Sequence, residues 1–140
     1  MEIAIETIVD ASIERVWDAW VTPADITQWN FASDDWCCPN ATIDLAAGGK
    51  FNYRMEAKDG SMGFDFEGTF TTVEPRTAIE YKLADNRGVR ISFTHTESGV
   101  RVVETFDAED KNSAEQQRQG WQCILNNFKI HAEQRQITKP

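Results

Sequence analysis

Two hydrophobic periods run along this chain. Near its start, Ile13, Val16, Trp17 and Trp20 fall at i, i+3, i+4 and i+7, which marks one face of a helix. Near its end, Trp121, Ile124, Leu125 and Phe128 repeat that spacing inside a longer helical run. Between them apolar and polar residues alternate with period two, as in Phe51, Tyr53 and Met55, the pattern of half-buried strands. Helical faces at both ends and antiparallel strands between them predict an α+β fold in which a long final helix covers one face of a curved sheet. A sheet gripping a helix in this way leaves room for a cavity.

Local signals place the elements. Residues 2–9 alternate as an opening strand, and Ser12 is an N-cap for a helix over about 13–20, with Glu14 in its first turn. Thr22-Pro23-Ala24-Asp25 resembles a capping box and starts a short second helix that carries Ile26 and Trp29 inward. Asn30 to Pro39 has no period and ends in proline, so it reads as a loop, with a short strand over about 40–47 before Gly48-Gly49. Asp59-Gly60-Ser61-Met62 offers a two-residue Gly-Ser turn. That register pairs Met55 with Phe66, Tyr53 with Gly68 and Phe51 with Phe70, putting the aromatics on one face. The other face pairs Arg54 with Glu67 and Glu56 with Asp65. The two facing carboxylates are either a solvated surface, with Lys50 and Lys58 nearby, or a cation site.

Three more strands are expected near 77–84, 88–97 and 99–107. In the last, Val100, Val102, Glu104 and Phe106 share parity, while Val103 leaves open which face turns inward. Ser113-Ala114-Glu115-Gln116 is a capping box, and the helix it opens runs from about 114 to about 135, roughly 30 Å. No repeat, low-complexity stretch or linker interrupts the 140 residues, so the expectation is one domain over 1–140.

Composition narrows the function classes. Five Trp and eight Phe argue against disorder. The formal net charge of −9 repels phosphate backbones and anionic lipid, which sets nucleic acid and membranes aside as partners. No apolar run approaches the roughly 18 residues that span a bilayer. The N-terminus carries Glu2 and Glu6 and no basic stretch, so it is not read as a secretory signal. With three cysteines, two of them adjacent, reduced thiols and a cytoplasmic location are expected.

Several blocks together resemble a known family. They are Val16-Trp17-Asp18-Ala19-Trp20, Thr22-Pro23 and Trp29; Gly48-Gly49-Lys50-Phe51; Phe66-Glu67-Gly68 leading to Val73-Glu74-Pro75; and Gly120-Trp121 with Leu125 and Phe128. With the order strand, two short helices, six strands and a long helix, they resemble the START-like (SRPBCC), or helix-grip, superfamily. Within it they resemble the family of the activator of Hsp90 ATPase homologue 1. The resemblance implies the helix-grip fold. It also implies a cavity of the kind in which wider relatives bind lipids, hormones or polyketides, or in a few cases act as cyclases or hydrolases. Hsp90 activation is not carried over, because the co-chaperone that names the family has a further N-terminal domain that does not match here.

Chemical signatures are sparse. There is no nucleophile elbow, phosphate-cradling Gly loop, HExxH or CxxC spacing, and two histidines exclude a His-rich metal site. No catalytic residue, metal or cofactor is assigned. Cys37 and Cys38 are ordinary thiols or, with Cys123, soft-metal ligands. His95 is a rim or core histidine or a ligand-orienting base. His131 is assigned no role. Asp34, Asp35 and Glu104 are acids near the expected cavity mouth, and a Glu104 that faces the apolar interior needs an Arg partner or a raised pKa.

The leading expectation is binding of a small hydrophobic or amphipathic ligand. The residues expected around it are Trp29 and Trp36; Phe51, Tyr53, Phe66 and Phe70 of the hairpin; Tyr81, Phe93, His95 and Glu104 of the later strands; and Trp121, Ile124, Leu125 and Phe128 of the final helix. One alternative is a cyclase- or hydrolase-like enzyme using Glu104, His95 and Arg54. Another is an interaction module related to Hsp90 co-chaperones. A homodimer through aromatics of the 30–36 loop is left open. Trp121 is expected to be mostly buried, with Gly120 before it allowing a close backbone approach.

Overall fold

The computed structural model describes residues 1–138, with side chains through Gln134. Strand β1 (Glu2–Val9) leads into helices α1 (Ile13–Val21) and α2 (Pro23–Trp29). Six strands follow: β2 (Trp36–Ile43), β3 (Lys50–Ala57), β4 (Gly63–Glu74), β5 (Ala78–Leu83), β6 (Gly88–Thr96) and β7 (Gly99–Asp107). Helix α3 (Ala114–Thr138) closes the fold. The strands form one antiparallel sheet in the order β1-β7-β6-β5-β4-β3-β2. This is the helix-grip arrangement, a curled half-barrel with α3 in its grasp.

The caps act largely as their residue types require. Ser12 Oγ accepts from the Arg15 backbone N–H at 3.1 Å, and α1 buries Val16, Trp17, Ala19 and Trp20. Pro23 opens α2, but Thr22 makes no side-chain cap bond. Asp25 is drawn inward instead: its Oδ1 accepts from Arg15 Nη2 at 3.3 Å and His131 Nε2 at 2.8 Å. A carboxylate read as half of a capping box therefore ties α1, α2 and α3 together. At the start of α3, Ser113 and Gln116 exchange the reciprocal bonds of a capping box.

Two local expectations are overturned. The 30–39 segment is not all loop, because β2 begins at Trp36. A bulge between Cys37 and Asn40 takes up Pro39, and β2 lies at the sheet edge, where a missing N–H is tolerated. The β3–β4 register also differs by two residues, with Met55 opposite Phe64, Tyr53 opposite Phe66 and Phe51 opposite Gly68. The turn is wider than a Gly-Ser pair, since Ala57 N–H donates to the Met62 carbonyl at 3.0 Å. Asp59 Oδ1 holds it by accepting from the Ser61 N–H at 2.9 Å, and Gly60 takes φ +79. A shift of two preserves the face, so the aromatics still point inward. On the outer face Arg54 lies between the two acids, 2.9 Å from Glu56 and 3.6 Å from Asp65. The expected clash of carboxylates does not arise.

One end of the molecule is solidly packed. Trp20 lies 4.7 Å from Phe128, and Trp29 5.0 Å from Phe128, ring centre to ring centre. Phe93 packs edge-on against Trp17 and Trp20. Leu125, Phe128 and Ala132 form the fully buried stripe of α3. Helix α3 also runs along the free edge of β1. Arg118 Nη1, Gln122 Nε2 and Lys129 Nζ donate to the carbonyls of Ala4, Glu6 and Ile8 at 2.8, 3.3 and 2.7 Å.

Candidate functional site

Away from that packed end, sheet and helix separate around a cavity of ≈ 230 Å³. Alternation on β3, β4 and β5 turns Tyr53, Met55, Phe66, Phe70, Ile79 and Tyr81 toward it. Helix α3 adds Trp121 and Ile124, one turn before its buried stripe. Trp29 and Asn30 close the α2 side, and the Trp29 indole is fixed by donating to the Ala19 carbonyl at 2.9 Å. β7 contributes a single residue, Glu104.

Six of the expected lining residues lie elsewhere. Phe51, Phe93, Leu125 and Phe128 are core side chains, covered by their neighbours rather than facing the void. Trp36 sits on β2 against Phe64, whose exposed ring forms the outer lip of the cavity. His95 is exposed near the β6–β7 turn. Sequence reasoning missed Trp20, Asn30, Ile43, Met55, Phe64, Ile79, Arg87 and Glu109 at the wall. Phe64 shares the inward parity of Phe66 and Phe70 in either register, and Trp20 was already visible as the last apolar position of the α1 stripe.

Trp121 is mostly buried and packs against the core, as its place in the apolar stripe predicts. Its indole stacks on Phe106 at 3.9 Å and 9°, and it meets Phe66 edge-on at 5.9 Å. It thus bridges helix and sheet while bordering the cavity. Gly120 does not serve a close approach, because a Cβ there would meet no atom within 4 Å.

Glu104 is the unusual group. It is 6% exposed. In register it lies between Ile5 of β1 and Ile91 of β6, both buried. Among the described residues no group hydrogen-bonds its carboxyl, and burial alone pushes its pKa up to about 8. Tyr81 is held well above the ordinary phenol range by burial and by the Glu104 charge. Burial likewise raises Tyr53. Arg87 lies at the rim, 2.7 Å from Asp85 and 3.9 Å from Glu109, and so is already paired.

The groups considered for catalysis do not converge. Glu104 faces the cavity, but His95 is exposed and Arg54 lies on the outer face with Glu56 and Asp65. Asp34 and Asp35 are exposed and do not line the wall. Cys38 is buried with its thiol 3.6 Å from the Asn40 carbonyl, whereas Cys123 is exposed. Among the described residues no three His, Cys, Asp or Glu side chains cluster as metal ligands. None of the described helices is long and apolar enough to cross a membrane.

Comparison with known proteins agrees with this architecture. The family model described as Activator of Hsp90 ATPase homolog 1-like protein matches residues 10–133. The solution structure of the AHSA1-like protein from Aeromonas hydrophila is 45% identical, with a TM-score of 0.92 over 100% of this chain and 97% of that one. A solution structure from Cytophaga hutchinsonii is 47% identical, with a TM-score of 0.82 over 99% and 96%. A crystal structure from Nitrosomonas europaea, at 16% identity and a TM-score of 0.83 over 98% and 97%, shares the fold. Comparison with curated proteins finds no match.

Proposed function

The chain belongs to the activator of Hsp90 ATPase homolog 1-like family, and on that premise we propose that it binds a small apolar or amphipathic molecule between sheet and α3 without transforming it. The observation that carries this reading is the aromatic-walled cavity of ≈ 230 Å³ in an otherwise packed interior. An apolar void of about 150 Å³ accommodates benzene, so this one suits a single ring with a short chain. Most of its wall is aromatic or aliphatic, with few polar groups to orient a guest, as ligand pockets commonly are.

Trp29 and Trp121 border the cavity and report on its occupancy. Titration with small aromatic compounds should quench their fluorescence saturably at 1:1 stoichiometry. Ile124→Trp, which fills the void, should abolish that response while leaving the fold intact by circular dichroism. Native mass spectra free of any adduct, together with no saturable quenching by any compound, would defeat the reading.

A further inference from the structure

We propose that Glu104 makes this cavity a receptor for an organic cation, a compact amine whose ammonium pairs with the Glu104 carboxylate while its hydrocarbon part lies against Tyr53, Phe66 and Trp121. The proposal rests on the cavity reading above and names the chemical class of its ligand. Its basis is the position of Glu104. On the inward face of β7, Val100, Val102 and Phe106 are buried apolar residues, and the neighbours across the ladder are Ile5 and Ile91. Valine or isoleucine would continue that surface. A carboxyl there, buried and without a hydrogen bond from any described group, is costly to the fold. Buried acids are ordinarily paired, and this one is aimed into an open void.

The surroundings select the sign of the guest. Arg87 is the one cationic side chain of the wall among the described residues, and it already has Asp85 and Glu109. An anionic guest would meet Glu104 with nothing to offset it. A cation gains the carboxylate and also the negative faces of the aromatic rings around it. A charge-assisted bond is roughly twice as strong as one between neutral groups, so an amine benefits more than an alcohol or ketone of the same shape. The formal net charge of −9 raises the local concentration of cations as well.

The titratable groups facing Glu104 are few. Tyr53 comes from β3, Tyr81 from β5, Arg87 from the β5–β6 turn and Glu109 from beyond β7. β1, β6 and α3 present Ile5, Ile91, Trp121 and Ile124, which carry no charge. Both phenols are raised and stay neutral through mild alkali. An alkylamine, with a pKa near 10 like lysine, remains protonated over the same range. Amine affinity should therefore follow Glu104 alone, rising with pH until its carboxyl is ionised at about 8 and then levelling.

The test is calorimetric titration of the whole protein with phenylpropylamine, phenylpropanol and phenylpropionate, from about pH 6 to about pH 8.5. Above the Glu104 pKa the amine should bind about tenfold or more tighter than the alcohol, with phenylpropionate weakest. The amine affinity should rise about tenfold or more across the range, while that of the alcohol stays flat. Glu104→Gln, which keeps the shape and removes the charge, should erase both the preference and the pH dependence. Equal or tighter binding of the alcohol by the unaltered protein, or an amine preference retained in Glu104→Gln, overturns the proposal and leaves the cavity reading standing. Failure of all three compounds to bind overturns both. Should Glu104→Gln not fold, the comparison of the three compounds on the unaltered protein decides alone.

Discussion

Glu104→Gln should make the unliganded protein more stable at neutral pH and leave it unchanged in mild acid. The carboxyl rises from 4.5 when solvated to about 8 in the fold. Between these values the folded chain keeps a proton that the unfolded chain has released, so stability falls as pH rises. Below 4.5 both states are protonated and nothing is lost; above about 8 the whole difference is expressed. Taking ~1.4 kcal/mol per pH unit, the full penalty is about 5 kcal/mol and the share expressed at pH 7 is about 3 kcal/mol. Relaxation and water entry into the cavity reduce this, and about 2–3 kcal/mol at pH 7 is the expected gain for Glu104→Gln. The amide imitates the protonated acid in size and polarity, so the cost of an unbonded polar group is common to both chains and cancels.

Urea unfolding of both chains from about pH 4.5 to about pH 8.5 measures the difference directly. Groups that titrate elsewhere in the protein shift both curves alike. The difference should open from near zero in acid and widen steadily toward alkali. A gap independent of pH, or a parent chain more stable than Glu104→Gln at pH 7, would show that Glu104 is not an isolated buried acid.

Further outcomes separate the packed end from the open one. Phe128→Ala, in the fully buried stripe, should cost about 3–5 kcal/mol in urea unfolding. Trp121→Ala should cost less, about 2 kcal/mol, because the indole borders the cavity on one side and what it loses is mainly the stack on Phe106. Gly68→Ala would set a Cβ 2.4 Å from the Lys82 carbonyl and 3.0 Å from the Phe51 ring, and a melting scan should show a loss of about 2 kcal/mol or more. Ser12→Ala removes the α1 cap and should cost about 1 kcal/mol by the same scan, whereas Ser12→Asp should restore most of it.

Much of the fold was legible because period and caps report on short stretches of chain. Ser12, the strand over 2–9 and the stripe through Leu125 and Phe128 needed only their own neighbours to be read. The β3–β4 register needed more, since a turn of Gly60 and Ser61 and the wider one held by Asp59 both keep the aromatics inward. Parity could not choose between them. The start of β2 at Trp36 was hidden by Pro39, which a sheet edge tolerates and a central strand does not. The cavity was legible as a consequence of the fold but not in outline. Phe51 and Tyr53 share a face, and only the way Phe70 and Tyr81 close over Phe51 leaves the other ring to border a void. Glu104 was recognisable as a carboxyl on an apolar row, whereas its lack of a partner depends on where the arginines point.

The bonds from Arg118, Gln122 and Lys129 to the β1 carbonyls bear on how the chain is made. β1 leaves the ribosome before the other six strands of its sheet, yet its ladder partner β7 ends at residue 107 and the last of its helix donors is residue 129. Until α3 is made, therefore, one edge of this half-buried strand stays open to any other strand that reaches it. It closes only when α3 emerges and lies along it. A nascent chain halted between Asp107 and Arg118 would hold every strand of the sheet and still be prone to pair with its neighbours on the same message. The final helix thus covers the free edge of the first strand only after all seven strands have been made.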